Sequence, residues 1–587
     1  LTVTGVQTCA LPILSSDATI ISSISSLLQT VLGGQTECLI DSIDFGPEKL
    51  SESVEDSKKS STKRIFEAEH DDSDFYVSVS IGKEYEFDGV YGFVFACVSD
   101  STKNKFGFGY SPKFIIPDGN TSECTNIIDT ITGGFYNMKK FISEAVMSAL
   151  IPLHFYATEL PKNAPKELVK FADKIDPIQR NQLADQLCNL DFTKQKIFDA
   201  GKTSGELEEI ELAELDDCQE DVMANGLDAL RFGEVAVVIM AGGQGSRLRA
   251  PIPKAMMEIE IPSKMTLLEV QLRRIKKLQT MLESYGQNPK PIPVYILTSE
   301  STHSPIASYL MMKENFGLEH VMLVKQKQLP ARTPEGNFVL SDFGKVCAAP
   351  NGNGAVFSAL SESGALKQMK ELGVRYVDIH PIDNALARPA DPYFVGAMIY
   401  EGGDAAIKVI KKLPKERMGT LCKKDGKVVI IEYSEIPEGK EELYPYGNTA
   451  LQLYSIEIIE LVAEKQLPYH VANKKEMIIN EKGEKELCAV QKFERFIFDA
   501  LEYCENVVVV ECVREEEFAP IKNSSGSPTD SPETARDLIL NLHKKWAELN
   551  DITLEGDGAL EFLPETTYAG EGLEKFFGST ITTPRSE

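Results

Sequence analysis

Three strongly apolar runs stand out in the middle of the chain. They are Val235–Met240 (VAVVIM), Val294–Thr298 (VYILT) and residues 376–379 (YVDI). Such runs are typical of strands that are buried on both faces, as in a parallel sheet covered by helices. Stretches with helical spacing separate the runs, as expected when strands and helices alternate. The pattern predicts a doubly wound, mostly parallel α/β domain over residues 233–455.

One amphipathic stretch carries a clear helix start. Thr266 precedes it and Glu269 follows three positions later, which is the spacing of a capping box. Apolar side chains then recur at helical spacing at Leu268, Leu272, Ile275 and Leu282. The sequence therefore predicts an amphipathic helix between the first two strands of the domain.

The flanking segments have other patterns. Residues 15–160 combine strand-like runs at 75–81 and 92–97 with a loop at 51–63 and a helical pattern at 126–150, which predicts an extra α+β segment. Residues 161–232 are acidic and helical in pattern and predict a helical extension. Residues 456–584 begin helical, with a strand at Val507–Glu511 and a loop at 524–531, and predict a smaller C-terminal domain.

The first residues are unlike the rest of the chain. Residues 3–13 (VTGVQTCALPI) resemble a translated sequencing adapter, and no basic stretch precedes their apolar part as it would in a signal peptide. Residues 1–14 are therefore expected to be an artefact that contributes nothing to the fold.

Charge and composition restrict the partners. The chain has 89 acidic and 61 basic residues and a net charge of -28, which disfavours binding to nucleic acid or to an anionic membrane. No apolar run approaches the about 20 residues that a membrane helix needs. The 11 cysteines and 7 histidines are scattered without a C-x-x-C pair, which argues against a zinc site and favours a reducing, cytoplasmic location.

A glycine-rich turn follows the first apolar run. Its residues are Ala241, Gly242, Gly243, Gln244, Gly245, Ser246 and Arg247. Glycines let backbone N–H groups approach a phosphate closely, and Arg247 and the later Lys254 add positive charge. A purely structural strand-to-helix turn is the alternative. The order of glycines differs from the G-x-G-x-x-G of dinucleotide sites, and the G-K-[ST] of a Walker loop is absent.

A series of motifs in the same order is similar to the UDP-N-acetylglucosamine pyrophosphorylase family. After the AGGQGSRL turn and its Pro253-Lys254 pair come PSKMTL at 262–267, LPA at 329–331, APNGNG at 349–354, IDN at 382–384, EYSE at 432–435, GN at 447–448, FAPIKN at 518–523 and YAGEGLE at 568–574. The resemblance covers roughly residues 165–580. It implies a nucleotide-diphospho-sugar transferase fold and the synthesis of UDP-N-acetylglucosamine and pyrophosphate from UTP and N-acetylglucosamine-1-phosphate.

The resemblance also implies roles for individual residues. Catalytic roles fall to Arg247, Lys254, Lys412 and Lys522. Nucleotide binding falls to Ala241, Gly242, Gly243, Gln244, Gly245, Ser246, Pro350, Asn351, Gly352 and Gly354. Sugar binding falls to Asn384, Glu432, Gly447 and Asn448. Asp383 is the expected ligand of Mg²⁺ (or Mn²⁺), because hard cations prefer carboxylate and phosphate oxygens.

Several of these positions have simpler interpretations. Asp383 and Asn384 together fit a turn at a strand end, and Lys408 and Lys412, of which one or both would contact phosphate, also fit a solvated basic face. Three departures from the family pattern are Arg249 and Ala255 in place of Gly, and Pro445 in place of Asn. They leave open a glucose-1-phosphate or broad sugar specificity, or an inactive nucleotide-binding homologue.

Residues 15–155 lie outside that resemblance. They are faintly similar to the C-terminal part of RNA 3′-terminal phosphate cyclase-like proteins, through a helical pattern at 20–32, the run at 90–95 and the Gly pair Gly133-Gly134. A role in RNA processing is disfavoured by the net charge of -28.

The expected state of the enzyme is a monomer or a homodimer.

Overall fold

The structure is a computed structural model. It describes residues 160–161, 163–175, 177–193, 206–243, 245, 252–414, 416–431, 436, 439–583 and 585–586, and the backbone of the strands between residues 8 and 115. The predicted loop at 51–63 and the predicted helices at 20–32 and 126–150 lie outside the described residues.

The strands are numbered in chain order. They are β1 (Thr8–Ile13), β2 (Glu37–Ser42), β3 (Phe75–Glu86), β4 (Gly89–Asp100), β5 (Phe106–Tyr110), β6 (Phe114–Ile115), β7 (Leu207–Glu208), β8 (Val235–Met240), β9 (Val294–Thr298), β10 (Val321–Lys325), β11 (Gln328–Pro330), β12 (Leu340–Asp342), β13 (Lys345–Val346), β14 (Ala348–Pro350), β15 (Tyr376–Pro381), β16 (Ala405–Lys411), β17 (Thr420–Lys424), β18 (Lys427–Ile431), β19 (Tyr446–Ser455), β20 (His470–Ile479), β21 (Lys485–Glu494), β22 (Val507–Glu511), β23 (Thr553–Glu555), β24 (Leu560–Glu561), β25 (Thr580–Thr582) and β26 (Arg585–Ser586).

The α-helices are numbered in the same way. They are α1 (Lys166–Val169), α2 (Pro177–Asn189), α3 (Gln219–Arg231), α4 (Leu267–Tyr285), α5 (Glu300–Met312), α6 (Val356–Glu362), α7 (Ala365–Leu372), α8 (Pro392–Tyr400), α9 (Ile456–Lys465), α10 (Arg514–Glu517) and α11 (Pro532–Leu549). Short 3₁₀ turns lie at Asp216–Cys218, Lys254–Met256, Glu314–Gly317, Asn353–Ala355, Glu441–Leu443, Ile497–Tyr503 and Glu574–Phe576.

The chain folds into two compact units. One comprises residues 1–190, 335–347 and 476–488, and the other comprises 191–334, 348–475 and 489–587. In the first unit, β1 to β5 form a sheet in the order β2-β1-β3-β4-β5, with β6 paired to β4. The predicted strands at 75–81 and 92–97 lie inside β3 and β4. The segment 1–14, which was expected to lie outside the fold, contains β1, which pairs with β2 in parallel.

The second unit is built on a central sheet in the order β10-β9-β8-β15-β19-β16-β22. β10, β9, β8 and β15 are parallel neighbours, β19 runs antiparallel to both β15 and β16, and β22 is parallel to β16. The predicted doubly wound, mostly parallel sheet is confirmed. Because β22 belongs to this sheet, residues 456–584 share the core of the central domain, and the predicted boundary at 456 stays a prediction.

The apolar run of β8 shows why the sheet is covered on both faces. Val235, Val237 and Ile239 pack into the core formed with α3, α4, α8 and α11. The alternate residues of the same strand, from Ala236 to Met240, pack into the other core, formed with α6, α7 and α9. Since strand side chains alternate between faces, only a strand without polar residues satisfies both cores.

Helix α4 forms where its cap predicts. The Thr266 hydroxyl accepts from the Glu269 N–H at 3.2 Å. The Glu269 carboxylate instead accepts from Tyr309 at 2.9 Å and pairs with Arg273, so it serves packing against α5 rather than the cap. The predicted apolar face is confirmed, because Leu268, Leu272, Ile275 and Leu282 are all fully buried.

No helix in the part of the chain that the structure describes combines the length and apolar character needed to cross a membrane.

Helices α3 and α8 cross at a pair of glycines. A Cβ on Gly226 would lie 1.7 Å from the Pro392 carbonyl oxygen, and one on Gly396 would lie 1.7 Å from that of Val222. Such contacts allow no side chain at either position without moving a helix.

We expect Gly226→Ala to lower the free energy of unfolding by about 2 kcal/mol or more, because overpacking against backbone outweighs the about 1 kcal/mol gained in helix propensity. Urea unfolding followed by circular dichroism measures the change. The neighbouring Asn225→Ala is the matched control and should be neutral or slightly stabilising. Equal stability of Gly226→Ala and wild type would show that the two helices separate easily.

Candidate functional site

The site lies at the carboxyl edge of the parallel part of the central sheet. Gly242, Ser299 and Gln326 closely follow β8, β9 and β10, and Asp383 follows β15. β8 and β15 pair so that Met240 lies opposite Pro381, and the Ile382 N–H donates to the Met240 carbonyl at 3.2 Å. Carboxyl ends of parallel strands meet at one edge, which is where open α/β sheets bind ligands.

Lys254 and Asp383 form an ion pair at this edge. The Lys254 ammonium donates to an Asp383 carboxylate oxygen at 3.1 Å, and the two side chains are 16% and 19% exposed. The Ile521 N–H donates to the Asp383 carbonyl at 2.9 Å, so the backbone of the adjacent, exposed Lys522 lies near Asp383. The structure thus brings together three residues that the sequence places far apart.

The glycine turn is required in part by packing. A Cβ on Gly242 would lie 2.4 Å from the Gln326 amide nitrogen, whereas no described atom lies within 4 Å of a Cβ on Gly243, and Gly245 has a φ of +64°. Ala241 is fully buried and its N–H donates to the Leu297 carbonyl, so it acts as an extension of the strand. Gln244, Ser246 and Arg247, as well as Arg249, lie outside the described residues.

The loop at 350–354, which is predicted to bind the nucleotide, packs against another segment of the protein. Gly352 has a φ of +89°, and a Cβ there would lie 2.3 Å from the Arg495 carbonyl oxygen. A Cβ on Gly354 would lie 2.6 Å from the Phe496 carbonyl carbon. The backbone that approaches these glycines is that of Arg495 and Phe496, and a role of Gly352 and Gly354 in binding the nucleotide stays a prediction. Pro350 ends β14, which pairs with β11.

Two buried amides beside these loops have unsatisfied oxygens. Gln326 is 6% exposed and Asn351 is 4% exposed, and among the described residues neither side-chain oxygen has a hydrogen-bond partner. Their backbones are linked through Lys327, whose carbonyl accepts from the Asn351 N–H at 3.3 Å. A buried polar atom without a partner is costly and is a feature of ligand sites. Sequence analysis missed Gln326, although its position directly after a buried strand was an available signal.

Lys412 lies in the predicted sugar region. Its ammonium donates to the Thr420 hydroxyl at 2.9 Å, and burial lowers its pKa against the opposing effect of Glu416 and Glu441. A Cβ on Gly447 would lie 2.4 Å from the Met418 sulfur and 3.1 Å from Lys412 Cγ. The Asn448 N–H donates to the Gly419 carbonyl, so Lys412, Gly447 and Asn448 share one surface. Glu432 lies outside the described residues.

Lys408 lies in the protein interior instead. It is 3% exposed, and its ammonium pairs with the carboxylates of Asp391 and Glu517. Burial alone would lower the pKa of Lys408, but the two carboxylates outweigh it and raise the pKa above its ordinary value. The interpretation that Lys408 contacts phosphate is therefore wrong, because its charge is already neutralised in the core.

Asn384, a predicted sugar ligand, anchors the segment that carries Lys522. It is 1% exposed, its amide nitrogen donates to the Glu517 carbonyl at 2.7 Å, and its oxygen accepts from the Ala519 N–H at 2.8 Å. Because backbone groups occupy both ends of the amide, this geometry favours a structural role in which Asn384 fixes the segment that carries Lys522. A contact with the sugar stays a prediction.

Asp530 lies between the charged groups around Asp383 and those around Lys412. The sequence analysis did not identify it. Its carbonyl accepts from the Lys522 and Asn523 N–H groups at 2.8 Å. Burial raises the pKa of its carboxyl, Glu416 and Asp383 add to the effect, and Lys522 and Arg514 oppose it. Arg514 and Glu416 are themselves paired at 2.5 Å. The charged groups around Asp383 and those around Lys412 therefore belong to one electrostatic cluster.

Asp383 suits a divalent cation only together with a ligand. Among the described residues, no group of three or more His, Cys, Asp or Glu side chains is arranged to hold a metal ion. Mg²⁺ is commonly held by one or two carboxylates plus substrate phosphates. A partly exposed carboxylate that pairs with the cationic Lys254 fits that kind of site.

Two departures from the family pattern are visible in the structure. Ala255 is fully buried, so its methyl group is part of the core beneath Lys254. Pro445 immediately precedes β19, where its missing N–H removes no ladder bond, and its carbonyl accepts from the Lys412 N–H at 2.8 Å. Neither substitution disturbs the local fold.

Comparison with known proteins places this site in a family. The family model of UTP–glucose-1-phosphate uridylyltransferase matches residues 193–557. UDP-N-acetylglucosamine diphosphorylase 2 of Arabidopsis thaliana is 36% identical over 377 residues, covering 60% of this chain and 74% of that protein. UDP-N-acetylhexosamine pyrophosphorylase-like protein 1 of Xenopus tropicalis is 35% identical over 386 residues, covering 60% of this chain and 76% of that protein.

A solved structure has the same fold. It is the uridine diphosphate N-acetylglucosamine pyrophosphorylase of Trypanosoma brucei in complex with an inhibitor, with a TM-score of 0.58 and 26% identity, and the match covers 68% of this chain and 89% of that one. The family model spans the glycine turn, Lys254, Asp383, Lys412 and Lys522. This chain therefore belongs to the UTP–glucose-1-phosphate uridylyltransferase family, and the relatives that it matches include UDP-N-acetylglucosamine pyrophosphorylases.

Proposed function

We propose that this protein transfers a uridylyl group from UTP to N-acetylglucosamine-1-phosphate and releases pyrophosphate. The observation that carries the proposal is the convergence of Lys254, Asp383 and Lys522 at the carboxyl edge of the sheet, next to the glycine turn. The names of the relatives give the substrate class, and the geometry supplies the charges that two phosphorylated substrates require.

The reaction forms one P–O bond and breaks another. An oxygen of the sugar phosphate attacks the α-phosphorus of UTP, and the bond to the bridging oxygen of pyrophosphate breaks on the opposite side. Catalysis of such a transfer depends mostly on positioning and charge neutralisation. Lys254 and Lys522 would neutralise the triphosphate, helped by Arg247, and Lys412 would hold the sugar phosphate.

Asp383 would hold the divalent cation, Mg²⁺ or Mn²⁺. Bound there, the cation supplies Lewis-acid neutralisation of the phosphate oxygens. The Lys254 ammonium pairs with the Asp383 carboxylate in the structure, so the two residues that would meet the triphosphate and the cation lie next to each other.

The unsatisfied Gln326 amide would contribute to recognition of the base. Uracil presents one N–H donor between two carbonyl acceptors. Among the described residues the buried Gln326 oxygen has no partner, and the amide nitrogen lies close to Gly242. A primary amide in that position would accept from the uracil N–H and donate to one of the two carbonyls.

Two buried cysteines support the proposed location of the enzyme. Cys504 and Cys512 are buried thiols whose pKa is raised to about 12 by burial, which suits a reducing compartment. We propose a cytoplasmic enzyme that is a monomer or a homodimer and has neither nucleic acid nor a membrane as partner. Its substrates are UTP and the sugar phosphate.

Sugar choice provides the direct test of the proposed function. We expect kcat/KM for N-acetylglucosamine-1-phosphate to exceed that for glucose-1-phosphate by about a hundredfold, because a site built to pair a polar group rejects substrates that lack it. A pyrophosphate-release assay over a panel of sugar-1-phosphates measures this.

Each alternative gives a different result in that assay. An equal or reversed preference would favour a glucose-specific or broad enzyme and would point to Pro445. UTP binding without turnover of any sugar phosphate would identify an inactive homologue.

The assignment of Asp383 makes a second prediction. Asp383→Asn keeps the size of the side chain and removes its charge, so kcat should fall by about a hundredfold or more, as on loss of a key electrostatic group. The measurement is turnover as a function of Mg²⁺ concentration. Asp342→Asn is the control, because Asp342 is also ion-paired, to Lys485, but lies on a hairpin in the other compact unit.

The control variant should keep wild-type turnover. A near-normal kcat and an unchanged Mg²⁺ dependence of Asp383→Asn would show that Asp383 is only a turn residue, and the metal would have to be assigned to another carboxylate.

A further inference from the structure

The segment that carries Asp383 is irregular but closely held. Residues 382–390 connect β15 to α8 without regular secondary structure. Many of their backbone groups are paired with buried side chains from other elements. The Ala390 N–H, for example, donates to the Asp378 carboxylate at 2.8 Å. A loop held in this way keeps its shape because each broken contact would leave a buried polar group unsatisfied.

Gln271 of α4 contacts the backbone on both sides of Asp383. It is fully buried, and its amide nitrogen lies 3.4 Å from the Ile382 carbonyl oxygen and 3.3 Å from that of Asn384. These are the residues immediately before and after Asp383. Both carbonyls only accept hydrogen bonds, so the amide must present its nitrogen to them.

The other end of Gln271 is also fixed. Its oxygen lies 3.0 Å from Nε2 of His380, which is 1% exposed on β15. Because an amide oxygen only accepts, His380 Nε2 is the donor in this bond. Gln271 therefore links a fixed strand residue to the two carbonyls that flank Asp383, and its orientation leaves no alternative.

Neighbouring contacts hold the rest of the loop. Arg274, one turn further along α4, donates to the carbonyls of Ala385 at 3.2 Å and Ala387 at 2.7 Å. The Tyr568 hydroxyl donates to the Pro389 carbonyl at 3.0 Å. Tyr568 opens the YAGEGLE motif, in which the Glu571 carboxylate accepts from the Tyr568 and Ala569 N–H groups. Gln271 is distinct in that its contacts bracket Asp383 itself.

We propose that Gln271 is a positioning residue that sets the place of the Asp383 carboxylate for the divalent cation. The proposal rests on the proposed function, since it assumes that Asp383 holds the metal. Gln271 acts through backbone alone, so its loss should weaken metal binding and turnover together while leaving recognition of the sugar intact. Groups behind a metal ligand typically contribute about 10- to 100-fold in affinity or activity.

Two variants distinguish the effect of the Gln271 hydrogen-bond donor from the effect of its side-chain volume. Gln271→Met keeps the length and removes both polar ends. Gln271→Glu keeps the size and an oxygen facing His380, but its carboxylate cannot donate to the two carbonyls. The main readout is Mn²⁺ binding to the full chain in the presence of UTP, followed by electron paramagnetic resonance, which does not depend on turnover.

We expect both variants to raise the half-saturating Mn²⁺ concentration by about tenfold and to lower kcat by a similar factor. KM for the sugar phosphate should stay within about twofold of wild type, since groups on other strands would bind the sugar. Tyr309→Phe is the matched control. It removes a hydroxyl that donates to Glu269 on α4 and accepts from Thr266 at the start of α4, and metal binding should be unchanged.

The experiment tests the role of Gln271 separately from the proposed function. Wild-type Mn²⁺ binding by a folded Gln271→Glu or Gln271→Met variant would overturn the proposal. If Gln271→Met lost Mn²⁺ binding and Gln271→Glu kept it in full, packing alone would explain the effect. If Gln271→Met fails to fold by circular dichroism, Gln271→Glu decides. An inactive wild type that still binds Mn²⁺ with UTP would refute the proposed function, while the metal titrations would still test Gln271.

Discussion

The pairing of β8 with β15 is the constraint on which the site depends. Their parallel register places Met240 opposite Pro381, so the glycine turn and the Asp383 loop leave the sheet side by side. The ion pair between Lys254 and Asp383 then joins two segments that are far apart in the chain. The register itself is held because every residue of β8 is buried, half of them in each core. A shift by one residue would exchange the two faces and misplace both loops.

The distribution of charge follows from the same architecture. A chain with a net charge of -28 has to gather cations to receive two phosphorylated substrates. Its lysines divide according to burial. Lys408 is neutralised by two carboxylates in the interior, where an uncompensated charge would be very costly. Lys254, Lys412 and Lys522 keep partial or full exposure, which leaves their charges available to anions.

Much of the precision of the site comes from buried amides. Asn384 ties the segment before Lys522 to the Asp383 loop, and Gln271 ties that loop to α4. Amides provide donor and acceptor without the cost of a buried charge, which suits them to holding irregular backbone in a core. Gln326 and Asn351 differ, because their buried oxygens have no hydrogen-bond partner among the described residues. Satisfied amides thus hold the framework around the site.

The sequence by itself determined the strands β8, β9 and β22, the cap and apolar face of α4, and the order of motifs that identifies the family. These features are local, since periodicity, capping and turn chemistry act over a few residues. Only the tertiary structure decided that Lys408 is buried whereas Lys412 is accessible, although both belong to one short basic stretch. It also decided that the glycines at 352 and 354 face Arg495 and Phe496, and that Gln326 joins the site. These outcomes depend on which distant segments pack together, and the physical reason is that burial and long-range contacts are set by the whole fold rather than by the spacing of neighbouring residues.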